Sequence, residues 1–162
     1  MSDPSNNEQK KVTLFSVLLM VLTSIHHVYG AIIYNTPWRL HVLFLSVPVI
    51  VVTLVLDRLL SRTGNNPWIF RLYWILTLFA SILLIGAFEG LYNHVLKNIL
   101  FVMRLPENHM EKLYPHGMYE MPDNLFFEIT GVLQGAIAIM LVIYFIRLIR
   151  NSRQTSIIHV KS

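Results

Sequence analysis

Cysteine is absent from this 162-residue sequence. Its absence excludes disulfides, thiolate-bound zinc, iron–sulfur clusters and cysteine nucleophiles. The Gly-x-Ser-x-Gly motif of serine hydrolases and the Glu-x-x-His motif of di-iron four-helix bundles are also missing. Any bound metal must therefore use histidine, carboxylate, methionine or carbonyl ligands.

Charge is scarce as well. Only 14% of the residues are charged and 54% are hydrophobic, whereas soluble domains carry about 25% charged residues. The net charge of +4 is spread along the chain, and no block of like charge exists that would follow a phosphate backbone, so nucleic acid is not expected as a partner. The composition predicts an integral membrane protein, in contact with the lipid bilayer, and we expect a bacterial inner membrane.

Four apolar runs are long enough to cross a bilayer, at about 12–34, 40–56, 67–96 and 125–146. The third continues without a helix breaker from Pro67 to about Met103, which predicts a helix extending beyond the membrane. An outer loop of about 104–124 separates it from the fourth run. The sequence therefore predicts an all-α fold, an integral membrane four-helix bundle forming a single domain over residues 1–162.

Lysine and arginine are more frequent at one end of these spans than at the other. One end has Lys10, Lys11, Arg58, Arg62, Arg71, Arg147, Arg150 and Arg153, and the other has Arg39, Lys97, Arg104 and Lys112. Because positive charges favour the cytoplasmic side, both termini are predicted to be cytoplasmic and the long loop to lie outside.

Ionisable side chains within the spans are concentrated toward the outer end. The stretch "TSIHHVYGAIIY" (Thr23–Tyr34) contains His26 and His27, about 22 Å from the cytoplasmic end of the first helix at 1.5 Å per residue. Glu89 reaches a similar level in the third span, Glu128 begins the fourth, and His41 lies at the interface. Intramembrane ionisable groups are costly and usually functional, so this level of the bundle is the predicted site.

Helical periodicity indicates which side chains face one another. At about 100° per residue, one stripe of the first span contains Ser16, Thr23, His27, Gly30 and Tyr34, with His26 about 60° away. One face of the third contains Gly86, Glu89, Gly90, Asn93 and Lys97, flanked by Tyr92 and His94; in the fourth, Glu128, Gly131, Gly135 and Ala138 align. Because Glu89 and His94 are five residues apart, an α-helix places them on different faces. The "GVLQG" segment (Gly131–Gly135) predicts close helix contact.

The predicted site suits one transition metal, either iron, zinc or copper. The candidate ligands are His26, His27, Glu89, His94 and Glu128, and the candidate catalytic residues are Glu89 and Tyr92. Two histidines and a carboxylate with an open position suit zinc hydrolysis or non-haem iron chemistry. Haem between His26 or His27 and His94 is less favoured, because His94 is expected too far out. A metal-free proton relay through Glu89, His27, Tyr92 and Tyr34 is an alternative.

The outer loop contains further possible ligands. His109–Met110 and His116 to Met118 combine imidazole and thioether, a combination that suits copper(I), although the same residues would also suit a lid that packs on the bundle. The sequence thus leaves three functions open. The first is metal-dependent chemistry or metal handling on a lipophilic or periplasmic substrate. The second is a non-catalytic accessory or assembly subunit that binds partner membrane subunits, and the third is the metal-free proton relay.

Overall fold

The structure, a computed structural model, describes residues 4–63 and 66–161 and is 87% helical, with no strand in those residues. Six α-helices occur in chain order: α1 (Pro4–Ile33), α2 (Leu43–Thr63), α3 (Pro67–Leu76), α4 (Lys97–Val102), α5 (Glu107–Leu113) and α6 (Leu125–Lys161). A 3₁₀ helix covers Pro37–Val42, and a π-helix covers Thr77–Leu96, between α3 and α4.

Four helical stretches are long and apolar enough to cross a membrane, as the sequence predicted. They are Asn6–Ile33, Pro37–Thr63, Pro67–Val102 and Leu125–Ser152, called here the first to fourth spans. Large apolar side chains such as Phe44, Phe79 and Ile139 are exposed on their outer faces. Such a surface is unusual for a soluble monomer, and it suits contact with lipid.

The second and fourth spans are longer than their predicted ranges, 40–56 and 125–146. The second begins with the 3₁₀ helix at Pro37 and its helix continues to Thr63, while α6 continues to Lys161. Hydropathy marks only the part of a helix that suits lipid, and polar residues can extend that helix further. Gly64 and Asn65, between the second and third spans, lie outside the described residues.

The predicted loop at 104–124 contains a short helix, α5. After it, the chain turns at Pro115, whose carbonyl accepts hydrogen bonds from the backbone of Met118 and Tyr119. Gly117 adopts a positive φ of 86° in this turn, a conformation that glycine permits at little cost.

The π-helix is the main departure from the sequence prediction. Its 20 residues form the middle of a third span that hydropathy alone cannot distinguish from a continuous α-helix. Most π-helices are single turns inside α-helices, often at functional sites. Because its hydrogen bonds join residues i and i+5, side chains five apart in this segment lie on one side of the helix.

The first span lies at the centre of the bundle, packed against α6, the π-helix and α2. Toward its N-terminal end, polar pairs join it to its neighbours within an apolar core. Gln9 and Thr13 donate to Asp57 Oδ1 at 2.7 and 3.0 Å, and Thr13 shares a 2.8 Å hydrogen bond with Tyr73. These contacts fix how the second and third spans sit against the first, and hence the position of the site above them.

Candidate metal centre

His26 and His27 reach two different neighbours of the first span. His26 is fully buried and stacks on Phe127 of the fourth span with ring centroids 4.0 Å apart. His27 Nε2 lies 3.1 Å from Glu89 Oε1 of the third span. Successive residues point about 100° apart on a helix, so both can be buried only because the first span lies between these two neighbours. The predicted His27–Glu89 contact is present.

The hydrogen bonds of Thr130 determine the tautomer of His26. The Thr130 hydroxyl donates to the backbone carbonyls of Phe126 and Phe127 at 2.9 and 3.0 Å. Its oxygen is therefore the acceptor in its 2.9 Å contact with His26 Nδ1. This arrangement puts the proton of neutral His26 on Nδ1 and leaves a lone pair on Nε2, a buried nitrogen with no hydrogen-bond partner among the described residues. An imidazole oriented in this way is a typical metal ligand.

Glu89 lies among three imidazole rings. Its Oε1 is 3.1 Å from His27 Nε2 and 3.7 Å from His94 Nε2, and its Oε2 accepts a 2.7 Å hydrogen bond from the Asn93 amide. The edge of the His26 ring meets His94, with centroids 4.5 Å apart. One carboxylate and three histidines thus meet in one buried cluster.

The position of His94 corrects the sequence analysis. An α-helix would separate Glu89 and His94 by about 140° around the axis, and this separation was the reason for placing them on different faces. Both belong to the π-helix, whose wider turns mean that five residues make only slightly more than one turn. His94 therefore joins Glu89 in the cluster, and it is not too far out to meet His26.

Glu128 lies on the far side of His94. Its Oε2 is 3.4 Å from His94 Nδ1 and accepts a hydrogen bond from Asn98, while Lys97 Nζ donates to its Oε1 at 3.1 Å. A carboxylate on the second nitrogen of a histidine fixes the ring and strengthens it as a ligand. The geometry therefore suits Glu128 to orienting His94, and leaves His94 Nε2 directed at Glu89.

His26, Glu89 and His94 are arranged as a set that could hold a metal ion. Each offers one ligand atom, and the three atoms lie within 4.8 Å of one another. Two ligands about 2.1 Å from a tetrahedral zinc ion are separated by about 3.4 Å, close to the 3.7 Å between Glu89 Oε1 and His94 Nε2. Contraction of the ligand separations by at most about 1.4 Å would complete the set.

His27 is adjacent to this set without belonging to it. Although its Nε2 is 3.1 Å from Glu89, the contact does not have hydrogen-bond geometry, and neither ring nitrogen has a hydrogen-bond partner in the described residues. A buried imidazole that makes no hydrogen bond is costly. His27 is thus available to an incoming ligand or to a proton.

Gly131 gives His94 the space that its ring occupies. A Cβ at position 131 would lie 2.2 Å from Cγ and Nδ1 of that ring, far below van der Waals contact. The "GVLQG" segment was predicted to let helices approach closely, and here it also admits a histidine side chain. Gly135 has the more usual role, since the backbone of Gly90 packs directly on it.

A cavity of about 540 Å³ opens beside the cluster. His27, Glu89 and His94 form part of its wall. The remaining wall combines apolar side chains with the polar residues Arg39, His41, Asn93, Lys97, Tyr119 and Glu120. Small-molecule sites have volumes of about 300–1,000 Å³, so a substrate-sized molecule can reach the candidate ligands directly.

The structure leaves several predicted residues outside the cluster. The Tyr92 hydroxyl donates to the Leu113 carbonyl at 3.1 Å and the Tyr34 hydroxyl donates to Asp123 at 2.6 Å, so neither extends a relay from Glu89. His41 is exposed and contacts the Trp38 carbonyl. In the loop, His109, His116 and Met118 are exposed while Met110 is buried, and no ligand set of histidines and carboxylates forms there among the described residues.

Three side chains that contact the cluster or line the cavity were missed by the sequence analysis. Thr130 orients His26, Asn98 holds Glu128, and Arg39 lines the cavity as a buried cation. Thr130 and Asn98 are single polar residues in or near apolar spans, and that was the available signal. Arg39 was interpreted only as a topological charge, because no sequence pattern shows that it is buried.

Comparison of the chain with protein-family models, curated proteins and solved structures finds no match. The chain is a membrane-like helical protein with a buried histidine–carboxylate cluster, and its chemistry has to be inferred from that cluster and its surroundings.

Proposed function

We propose that this protein is a membrane-embedded, metal-dependent enzyme acting on a lipophilic substrate. One transition metal is bound by His26 Nε2, Glu89 and His94 Nε2. The observation that carries the proposal is a buried set of two histidines and one carboxylate that opens directly onto a substrate-sized cavity. Such a set with open positions suits zinc or non-haem iron, and we favour these over copper.

The surrounding side chains have distinct roles in this proposal. Thr130 and Glu128 orient the two histidine ligands through their second nitrogens, and Asn93 orients Glu89. His27 faces both the cavity and Glu89, a position suited to accepting a proton from a bound substrate. The metal itself would supply Lewis acidity or a redox centre. Tyr92, whose hydroxyl is occupied by the loop, has no proposed catalytic role.

The proposal places the chain as one domain in a bacterial inner membrane, with both termini cytoplasmic and the centre near the outer surface. The excess of lysine and arginine at the opposite end supports this orientation. A cavity at that level takes molecules from the outer leaflet. Below the cluster, Leu19, Met20 and Leu141 are fully buried beside buried polar pairs such as Ser16 with Ser81.

The test is elemental analysis of protein purified with a tag other than polyhistidine. We expect about one equivalent of zinc or iron in the wild type, and a loss of at least tenfold in His26→Ala, His94→Ala and Glu89→Gln. His41→Ala is the matched control, since it removes an exposed histidine beside the same cavity and should leave the metal content unchanged.

Two other results would change the assignment. If the double variant His109→Ala, His116→Ala loses copper while the bundle variants keep it, the metal site is in the outer loop. If no variant and no growth medium yields bound metal, the metal centre is wrong. The close His27–Glu89 pair would then favour a metal-free acid–base site, or else the chain is an accessory subunit.

A further inference from the structure

The cavity beside the cluster has two chemically different ends. One end is apolar and formed by Leu45 of the second span with Leu84 and Phe88 of the third. Leu84 and Phe88 are about half exposed, at 45% and 47%, on faces that suit contact with lipid. The second span packs on the first and on α3, and much less closely on the π-helix. The apolar end is therefore open sideways, between the second and third spans.

The other end contains two buried cations. Arg39 is 6% exposed and Lys97 is 2% exposed, and both line the cavity. Arg39 donates to Thr36 and Glu120, at 2.8 and 3.0 Å, and Lys97 donates to Glu128 and the Glu120 carbonyl. A guanidinium has five N–H donors and an ammonium has three. Both side chains thus retain donors beyond those already in use.

The carboxylate of Glu120 already shows what this end accepts. It comes from the segment after α5 and reaches Arg39 of the 3₁₀ helix at 3.0 Å. The Glu120 side chain is 28% exposed while that of Arg39 is 7% exposed. A partly exposed carboxylate on a buried cation can be exchanged for another carboxylate with little change in the cation's surroundings. Charge-assisted hydrogen bonds to arginine are among the stronger polar contacts.

We propose that this cavity binds a long-chain carboxylate, with its head between Arg39 and Lys97 and its chain leaving between the second and third spans. The head takes the place of the Glu120 carboxylate on Arg39. The chain passes Leu45, Leu84 and Phe88 and continues into the lipid. This substrate class rests on the proposed function, since Glu89 and His94 face the part of the ligand next to its head. Binding of the carboxylate itself does not require a metal.

The experiment uses a palmitate analogue with a photoreactive diazirine in its chain, and full-length protein in lipid nanodiscs. The matched probe is the corresponding alcohol, which has the same chain and no charge. We expect the carboxylate probe to label peptides of the second and third spans at least tenfold more than the alcohol, and unlabelled palmitate to compete. Equal labelling by both probes would overturn the proposal, because the cavity would then recognise only the chain.

Two variants separate recognition from structure because they should act in opposite directions. Arg39→Gln should reduce carboxylate labelling about tenfold, since it removes the charge that holds the head. Glu120→Gln should increase it several-fold, since it removes the competing carboxylate. If the Arg39–Glu120 pair only supported the fold, both variants would reduce labelling, and that result would contradict the proposal. Arg104→Gln changes an exposed cation in the outer loop and should have no effect.

A further variant does not depend on the cations. Leu45→Trp should fill the apolar end and abolish labelling while the protein remains monodisperse and helical, and persistent labelling would place the probe elsewhere. A dodecyl phosphate that competes at lower concentration than palmitate would show that the carboxylate assignment is wrong.

The experiment is repeated after chelation of metals. Labelling that persists in protein without any metal would support the carboxylate site while the proposed enzyme fails. Bound metal without selective labelling would support the centre and refute the substrate class.

Discussion

Replacing Thr130 by valine tests the inferred metal centre without touching any ligand. Valine has the same shape as threonine and lacks the hydroxyl that accepts the proton of His26 Nδ1. In Thr130→Val, the metal-bound state must therefore keep a buried, unpartnered N–H. Such a group costs about 1–3 kcal/mol. Without metal, the ring can instead carry its proton on Nε2, facing the Glu89 side of the cluster, and avoid that cost.

The penalty falls mainly on the metal-bound state, so it should appear as lost affinity. Removing an outer partner of a metal-bound histidine typically weakens binding 10- to 100-fold, which corresponds to about 1.4–2.7 kcal/mol. We therefore expect Thr130→Val to raise the Kd for zinc by 10- to 100-fold. Thr130→Ser keeps the hydroxyl and should bind within about threefold of the wild type.

The assay is competition with a chromophoric zinc chelator, on purified protein in detergent. Thr53→Val is the control for loss of a buried hydroxyl, since Thr53 is fully buried on the second span and not among the residues of the cluster. If Thr130→Val binds zinc as tightly as the wild type, the inferred tautomer of His26 is wrong. If the serine variant loses as much affinity as the valine variant, packing and not the hydrogen bond is responsible.

Three further predictions follow from other features. Gly131→Ala should reduce metal content severely, because the added Cβ displaces the His94 ring. Gly86→Ala is the control: its Cβ meets Ala138 at 2.6 Å, so it should destabilise the fold without changing the metal affinity of the protein that still folds. Equal metal loss in both variants would refute a local effect at His94. Ser81→Ala leaves Ser16 without its 2.7 Å hydrogen-bond partner. It should lower the free energy of unfolding in mixed micelles by about 0.6 kcal/mol, the usual value for a hydrogen bond between membrane helices. No change would show that the Ser16–Ser81 hydrogen bond contributes nothing to stability. Burial raises the pKa of Tyr114 to about 12. The difference in phenolate absorbance between the wild type and Tyr114→Phe should therefore titrate near pH 12, and stability should fall as pH rises from about 10, where an unfolded tyrosine ionises. Titration of that difference near pH 10 would contradict this prediction.

Hydropathy and charge were sufficient to predict the four spans, because a bilayer requires long apolar helices whatever their packing. They also directed attention to His27 and Glu89, since ionisable residues are rare inside apolar runs. The ends of the second and fourth spans could not be predicted in the same way. A helix that leaves the lipid no longer needs apolar side chains, and the hydropathy signal ends before the helix does.

The position of His94 depended on backbone geometry that no periodicity in the sequence revealed. The π-helix of the third span turns His94 toward Glu89 and His26, whereas the usual 3.6-residue turn directs it away. Thr130 and Arg39 were missed for a related reason. Their roles depend on which neighbouring helix they meet, and a pattern within one helix carries no information about its neighbour.

The way in which the outer loop (residues 104–124) is held affects which of its residues can change by mutation. Tyr92 and Lys97 bind it through the carbonyls of Leu113 and Glu120, and a backbone carbonyl is present whatever the residue. Mutations at Met118 and Tyr119, which line the cavity, would therefore leave that segment in place while changing the surface offered to the ligand. If the cavity binds the proposed ligand, its selectivity can change here over evolutionary time while the buried cluster below stays the same.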